Sequence, residues 1–185
     1  DLFGLPAEYE AIGETCRREG LFLLSDAAQS FGASQGNRRV GALAPVTSTS
    51  FFPAKPLGCF GDGGAIFTGD DALADRIRAI RTHGGIERHH HPLLGTNGRF
   101  DTLQAAVILA KLPHFASEVE RRAEAGARYS EALGDVVAVP SIAPGNTHVY
   151  AQYSIRTSRR DELAAFLSAN GVPSARVPPN SIAAA

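Results

Sequence analysis

The sequence has 185 residues, 44% of them hydrophobic and 20% charged, with a formal net charge of −1. This balance is typical of a globular protein and lacks the basic field that nucleic acids or anionic membranes would require, so we expect neither as a partner. There is no apolar run of about 18 residues, and the two cysteines fit no metal spacing. We therefore expect a cytoplasmic protein without a signal peptide, a membrane span or a metal.

The first elements predicted in chain order are a helix and a buried strand. Residues 5–20 have an apolar stripe near the helical period, with Pro6 suited to the first turn and Gly20 to the end. Residues 21–24 form a short apolar run, typical of a strand buried on both faces of a parallel sheet. Asp26 and Gln29 follow at its carboxyl end, where α/β sheets bind ligands, so both are site candidates. A capping aspartate and a loop glutamine remain the alternative.

A lysine loop between two strands comes next. Residues 35–38 predict a hairpin turn, residues 46–52 a strand and residues 64–68 a second strand, with Lys55 between these two strands. After Lys55, the glycines predict a turn where the backbone must pass closely; they are Gly58, Gly61, Gly63 and Gly64. A helix is predicted over residues 70–82, with acidic residues at its start.

Lys55 is unusual in this chain because only two of the 18 basic residues are lysine. An amine can lose its proton and attack a carbonyl to form a Schiff base, whereas a guanidinium cannot. An apolar setting favours that chemistry, but an ordinary loop lysine remains the other interpretation of Lys55 on its own.

The remaining chain predicts helices and the start of another domain. A polar loop opens at Asp101 or Thr102 into a helix with Pro113 late in it, and a separate amphipathic helix spans 115–133. Strands are predicted over 150–155 and 172–177, with a helix over 160–170 between them. Adjacent histidines at 89–91 lack ligand spacing, so we predict a polar surface loop there.

Two parts of a longer protein are therefore expected. Residues 1–135 would be part of a large domain whose N-terminal portion is missing, and residues 136–185 would begin a smaller domain. The chain has no initiator methionine, which fits an internal fragment.

Several short motifs resemble one known family in order and spacing. They look like the DegT/DnrJ/EryC1/StrS sugar aminotransferases, pyridoxal-phosphate (PLP) enzymes of aminotransferase fold type I. The resemblance implies an α/β fold, with a three-layer α/β/α large domain on a mostly parallel sheet and a smaller α+β C-terminal domain. The motifs are Asp26-Ala-Ala-Gln-Ser30, Thr49-Ser-Phe-Phe-x-x-Lys55, Gly61-Asp-Gly-Gly64, Arg81-x-His-Gly84 and Gly95-x-Asn-x-Arg99 with Gln104-Ala-Ala106.

The resemblance implies a role for each candidate. Lys55 matches the Schiff-base lysine and proton shuttle, and Asp26 matches the partner of the cofactor's ring nitrogen. Gln29 matches the residue near the ring's phenolic oxygen. Ser50 matches a phosphate ligand, and Asn97 one that reaches the phosphate in the neighbouring subunit of a homodimer with shared sites.

The implied reaction is a ping-pong transamination. Arg99 would pair with a carboxylate of the sugar acid or of the amino donor, for which we expect glutamate. The lysine block and the loop at 97–99 look most like family members that aminate a UDP-3-keto-hexuronic acid, and this resemblance implies that acceptor and a role in the biosynthesis of a bacterial surface polysaccharide such as lipopolysaccharide. The alternatives are a PLP- or PMP-dependent sugar dehydratase, against which Lys55 argues, and a non-catalytic or regulatory sugar-nucleotide-binding protein on the same fold.

Overall fold

The computed structural model describes residues 1–175 of the chain, which form helices, a three-stranded mixed sheet and a two-stranded sheet. Within that range lie four helices and five strands. In chain order they are α1 (Tyr9–Arg18), β1 (Leu24–Asp26), β2 (Ser34–Gln35), β3 (Arg38–Arg39), β4 (Val46–Ser50), β5 (Gly64–Thr68), α2 (Asp71–Arg81), α3 (Thr102–Leu133) and α4 (Arg160–Ala169).

The main sheet has the order β1-β4-β5 and sets the geometry of the site. β1 and β4 pair in parallel, with Asp26 opposite Ser48, while β4 and β5 pair antiparallel, with Ser50 opposite Gly64. The carboxyl ends of β1 and β4 therefore lie at the same edge, and the chain enters β5 from that edge.

The elements that follow local signals are confirmed. β2 and β3 form the predicted hairpin, and β4 and β5 occupy the predicted segments. α2 begins after Asp70, whose side chain accepts a hydrogen bond from the amide of Leu73, as an N-cap does. Gly20 has a φ of 63° after the end of α1, the left-handed conformation that favours glycine there.

The first helix and strand differ from their predicted bounds. α1 begins at Tyr9, so Pro6 lies before the helix rather than in its first turn. β1 is formed by Leu24–Asp26, and the preceding Leu21 and Phe22 lie outside any strand. The prediction of burial on both faces is wrong for the described chain, because β1 is an edge strand and Leu24 is 57% exposed.

The two helices predicted on either side of Pro113 are one helix of 32 residues, α3. Proline lacks the amide hydrogen that would bond to the carbonyl four residues earlier, yet the helix continues through it. Ile108 and Phe115, on either side of Pro113, are both buried in one apolar cluster with Phe51, Leu57 and Cys59. Packing against that cluster stabilises the helix on both sides of the missing hydrogen bond.

The C-terminal region contains one predicted helix and lacks one predicted strand. α4 matches the prediction, and Gly171 follows it with a φ of 72°. Residues 150–155 form no strand; the nearest pairing is an isolated bridge between Ala138 and Arg156. Residues 172–175 are not a strand either, and the rest of the strand predicted over 172–177 lies outside the described residues.

A second apolar cluster lies beneath the N-terminal segment and joins distant parts of the chain. It contains Val149, which is fully buried, together with Tyr9, Ala27, Ala33, Val40 and Leu43. Residues from before α1 to beyond α3 therefore share one core. Within residues 1–175, no helix is both long and apolar enough to cross a membrane.

Candidate functional site

Four of the predicted site residues meet at the carboxyl edge of the sheet. Asp26 is the last residue of β1 and Ser50 the last of β4, and these strands are parallel neighbours. Since Asp26 pairs with Ser48, Ser50 extends two residues further, roughly 7 Å along the strand. Gln29 lies just after β1, and Lys55 lies in the loop after β4. The topology thus gathers groups that lie up to 29 positions apart in the sequence.

The segment after β1 presents a carboxylate and an amide. Asp26 is exposed, and its Oδ1 accepts a hydrogen bond from the amide of Ala28 at 3.0 Å. Gln29 is held differently, because its Oε1 accepts from the backbone N–H of Phe3 at 2.6 Å. With its oxygen engaged, the amide nitrogen of Gln29 remains as the hydrogen-bond donor.

A polar network beneath this segment was not found from the sequence. The carboxylate of Asp1 accepts from the hydroxyl of Tyr9 at 2.6 Å and from the hydroxyl of Ser30, while Tyr9 also hydrogen bonds to Ser25. Burial raises the pKa of Tyr9; the hydrogen bond to Ser25 lowers it and the charge of Asp26 raises it. The network connects Ser25 of β1, and Ser30 beyond it, to Asp1 and to Tyr9 at the start of α1. It joins residues up to 29 positions apart, so no local pattern indicates it.

The lysine loop places Lys55 at the same edge. Its backbone N–H donates to the carbonyl of Phe52 at 2.8 Å, which closes a tight turn, and the residue is half-buried. Ser50 accepts a hydrogen bond from the amide of Phe52 at 3.2 Å. The Lys55 amine has no hydrogen bond or ion pair within the described part of the chain, so it is available for a ligand.

The glycines of this loop are explained by close packing. A Cβ on Gly64 would lie 2.6 Å from the carbonyl oxygen of Thr49, and one on Gly63 would lie 2.3 Å from the ring of Phe100. The prediction that backbone passes closely here is therefore confirmed.

The two remaining candidates lie on another loop. Asn97 forms an isolated bridge with Thr82 just beyond α2, and its Oδ1 accepts from Nε of Arg99 at 2.9 Å. Both residues are exposed, and over residues 1–175 no hydrogen bond joins them to Asp26, Gln29, Ser50 or Lys55. The Arg99 contact leaves the amide nitrogen of Asn97 as a donor, which suits an anionic group.

The donor set at the sheet edge fits a pyridoxal-type group. A carboxylate can hold a ring nitrogen in its protonated form, an amine can attack a carbonyl, and a hydroxyl with nearby backbone amides can bind phosphate. Asp26, Lys55 and Ser50 supply these groups in turn. No cluster of three or more histidine, cysteine or acidic side chains that could hold a metal ion occurs among the described residues.

Comparison with known proteins identifies a family of similar sequences. The sequence model of the DegT/DnrJ/EryC1/StrS aminotransferase family matches residues 1–181. A UDP-2-acetamido-2-deoxy-3-oxo-D-glucuronate aminotransferase from Pseudomonas aeruginosa is 48% identical over 175 residues, covering 94% of this chain and 49% of the relative. A pleiotropic regulatory protein from Geobacillus stearothermophilus is 44% identical, with 92% and 47% covered.

A solved structure confirms the fold class. A DegT/DnrJ/EryC1/StrS aminotransferase from Brucella abortus superposes with a TM-score of 0.91 at 50% identity, covering 94% of this chain and 47% of that one. The predicted α/β fold of the PLP-dependent transferases is therefore confirmed. The chain spans about half the length of the curated relatives it matches.

Proposed function

Since the chain belongs to the DegT/DnrJ/EryC1/StrS aminotransferase family, we propose that the full-length protein is a PLP-dependent aminotransferase acting on a keto nucleotide-sugar. The observation that carries this proposal is that an amine without a hydrogen bond or ion pair in residues 1–175, Lys55, and an exposed carboxylate, Asp26, lie at the same sheet edge. When bound, the cofactor supplies an electron sink that makes the donor's Cα–H acidic.

The chain's own residues would bind, orient and move protons. Asp26 would hold the ring nitrogen through the carboxylate oxygen that Ala28 leaves free, and the Gln29 amide nitrogen would donate to the ring's phenolic oxygen. Ser50 would bind phosphate at the strand end. Lys55 would anchor the cofactor and then carry the proton to and from the donor's Cα, since a neutral amine is a competent base.

We propose that the acceptor is a UDP-3-keto-hexuronic acid and that the donor is glutamate. The named activity of the Pseudomonas aeruginosa relative, at 48% identity, supports this acceptor class. Arg99 is exposed beside Asn97, and a guanidinium can bind a carboxylate of either substrate bidentately. A cytoplasmic location and a role in surface polysaccharide or lipopolysaccharide biosynthesis belong to the same proposal.

We also propose a homodimer in which Asn97 serves the neighbouring subunit's cofactor. In residues 1–175 Asn97 has no hydrogen bond to the sheet-edge residues, and it is exposed. Large apolar side chains are exposed on the lysine loop and on the start of α3, including Phe60 at 82% and Leu103 at 81%. An exposed apolar surface of this kind is typical of a protein interface.

A regulatory, non-catalytic protein is the second candidate. It is favoured by the name of the Geobacillus stearothermophilus relative, which is nearly as similar as the enzyme from Pseudomonas aeruginosa. The two candidates differ in whether Lys55 reacts with PLP.

The deciding experiment adds PLP to the full-length protein, records the visible spectrum, reduces with borohydride and maps the modified peptide by mass spectrometry. We expect a visible band that Lys55→Ala abolishes, and an adduct on the peptide containing Lys55. The peptide containing Lys111, the other lysine of this chain, is the internal control. If no band forms, or if the adduct lies on Lys111, the aminotransferase proposal fails.

A further inference from the structure

The loop that carries Lys55 is fixed by backbone hydrogen bonds at its ends. The amide of Phe51 donates to the carbonyl of Gly63 at 2.7 Å, and the amide of Cys59 donates to the carbonyl of Phe51 at 2.8 Å. Gly58, in the second half of the loop, packs closely against the first half, since a Cβ there would be 2.6 Å from the carbonyl oxygen of Pro53. The loop therefore doubles back on itself, with Lys55 near its turn.

Two side chains of α3 bind the returning half of this loop. Gln104 accepts a hydrogen bond from the amide of Phe60 at 2.9 Å, and the ammonium of Lys111 donates to the carbonyl of Gly58 at 2.5 Å. Gln104 and Lys111 are seven residues apart, which is nearly two helical turns, so they lie on one face of the helix.

Apolar contacts complete the same interface. Ile108 and Phe115, also seven apart on α3, are buried in one cluster with Leu57 and Cys59 of the loop. The helix thus contacts residues 57–60 by alternating polar and apolar groups, while Lys55 itself makes no side-chain hydrogen bond in residues 1–175.

We propose that Gln104 and Lys111 are positioning residues that hold the Lys55 loop in the geometry needed to engage PLP. This inference rests on the proposed function. A hydrogen bond from a partly buried ammonium to a carbonyl is charge-assisted and stronger than a neutral one. Of the two side-chain hydrogen bonds between α3 and the loop, that of Lys111 is therefore the stronger. Both lysines of a chain otherwise rich in arginine then serve one site: Lys55 would bind PLP, and Lys111 would hold the loop that carries Lys55.

The choice of lysine at position 111 follows from shape. An ammonium on a flexible stem can direct one N–H at a single carbonyl in the space between helix and loop, whereas a planar guanidinium is broader and is suited to forked acceptors. Lys111→Arg should therefore keep the positive charge but hold the Lys55 loop less well than lysine does.

The experiment compares PLP affinity and thermal stability in the full-length protein. Lys111→Met keeps the stem and removes the donor, and we expect its Kd for PLP to rise about tenfold and the pH midpoint of the visible PLP band to shift. The Kd of Lys111→Arg for PLP should lie between those of Lys111→Met and the wild type. The control is Arg128→Met, which replaces an exposed basic residue further along α3 and should leave the Kd for PLP and the pH midpoint unchanged.

The outcomes separate this inference from the proposed function. If the wild type binds no PLP, the proposed function fails. If the wild type binds PLP and Lys111→Met lowers only the melting temperature, leaving Kd and the pH midpoint unchanged, the positioning role is overturned. Should Lys111→Met not fold, Gln104→Leu removes the other side-chain hydrogen bond between α3 and the loop and must weaken PLP binding relative to Gln104→Glu, which keeps the acceptor for the Phe60 amide.

Discussion

Two buried threonines of β4 differ in whether the side-chain hydroxyl makes a hydrogen bond, so their replacement should change the stability in opposite directions. Thr47 is fully buried, and its Oγ1 has no hydrogen-bond partner among the described residues. Thr49 is also buried, but its Oγ1 donates to the carbonyl of Ala27 at 3.2 Å. An unsatisfied buried hydroxyl is costly, whereas a satisfied one contributes about 1 kcal/mol.

We therefore expect Thr47→Val to raise the free energy of unfolding by about 1 kcal/mol and Thr49→Val to lower it by about the same amount. Urea denaturation of the two variants beside the wild type measures this difference. Valine has nearly the same shape as threonine, so packing is preserved in both. Equal destabilisation of the two variants would mean that Thr47 has a partner after all.

Chemical type was easier to predict for individual residues than orientation. Asp26 and Lys55 are recognisable because a carboxylate after a short apolar run and a rare amine in a glycine-rich loop are local signals. The role of Phe3 was not, since its N–H fixes the amide of Gln29 across 26 positions. The hydrogen bond between Lys111 and Gly58 spans 53 positions, so no local sequence pattern predicts it either.

Among the elements, α3 contains a glycine whose replacement tests its packing. Gly126 lies within the helix, where alanine would normally add about 1 kcal/mol of stability. A Cβ there would lie 2.3 Å from Cζ of Tyr150, and overpacking of this kind costs about 1–3 kcal/mol. We expect Gly126→Ala to lower the free energy of unfolding despite the gain in helix propensity, as measured by urea denaturation.

A double-mutant cycle separates the two effects. With the ring removed by Tyr150→Ala, the same Gly126→Ala change should stabilise the protein, because only helix propensity remains. Ala127→Gly, at an exposed neighbouring position, is the control and should cost about 1 kcal/mol in either background. Stabilisation by Gly126→Ala alone would contradict the contact with Tyr150.

Elements defined by local signals were predicted well, and those decided by tertiary packing were not. α2 has its capping aspartate and β4 its β-branched run, so their positions follow from the sequence, although β4 ends at Ser50, two residues before its predicted end. Pro113 predicts a break in α3, but packing on both sides overrides it. The strand expected over 150–155 fails because this segment packs as a loop, with Val149 in the core and Tyr150 against α3.

Across the whole molecule, the sheet order explains which of the candidate residues lie at one edge. Pairing of β1 with β4 brings Asp26, Ser50 and Lys55 to one edge, an arrangement that the rule for strand ends predicts once the two strands are neighbours. Asn97 lies beyond α2 and makes no hydrogen bond to that edge within residues 1–175. The division of residues 1–135 and 136–185 into two domains remains a prediction.

The shared-site homodimer makes a prediction about mixed assemblies. If Asn97 serves the partner's cofactor, a dimer of one Lys55→Ala chain and one Asn97→Ala chain has one site with both residues intact and one site with neither. One of the two sites of each mixed dimer is intact, so the purified mixed dimer should have about half of the wild-type number of PLP sites. Coexpression of differently tagged full-length chains, followed by PLP titration of the purified mixed dimer, measures this. Each homodimeric variant is the control, and binding no better than Asn97→Ala alone would place both residues in one subunit's site.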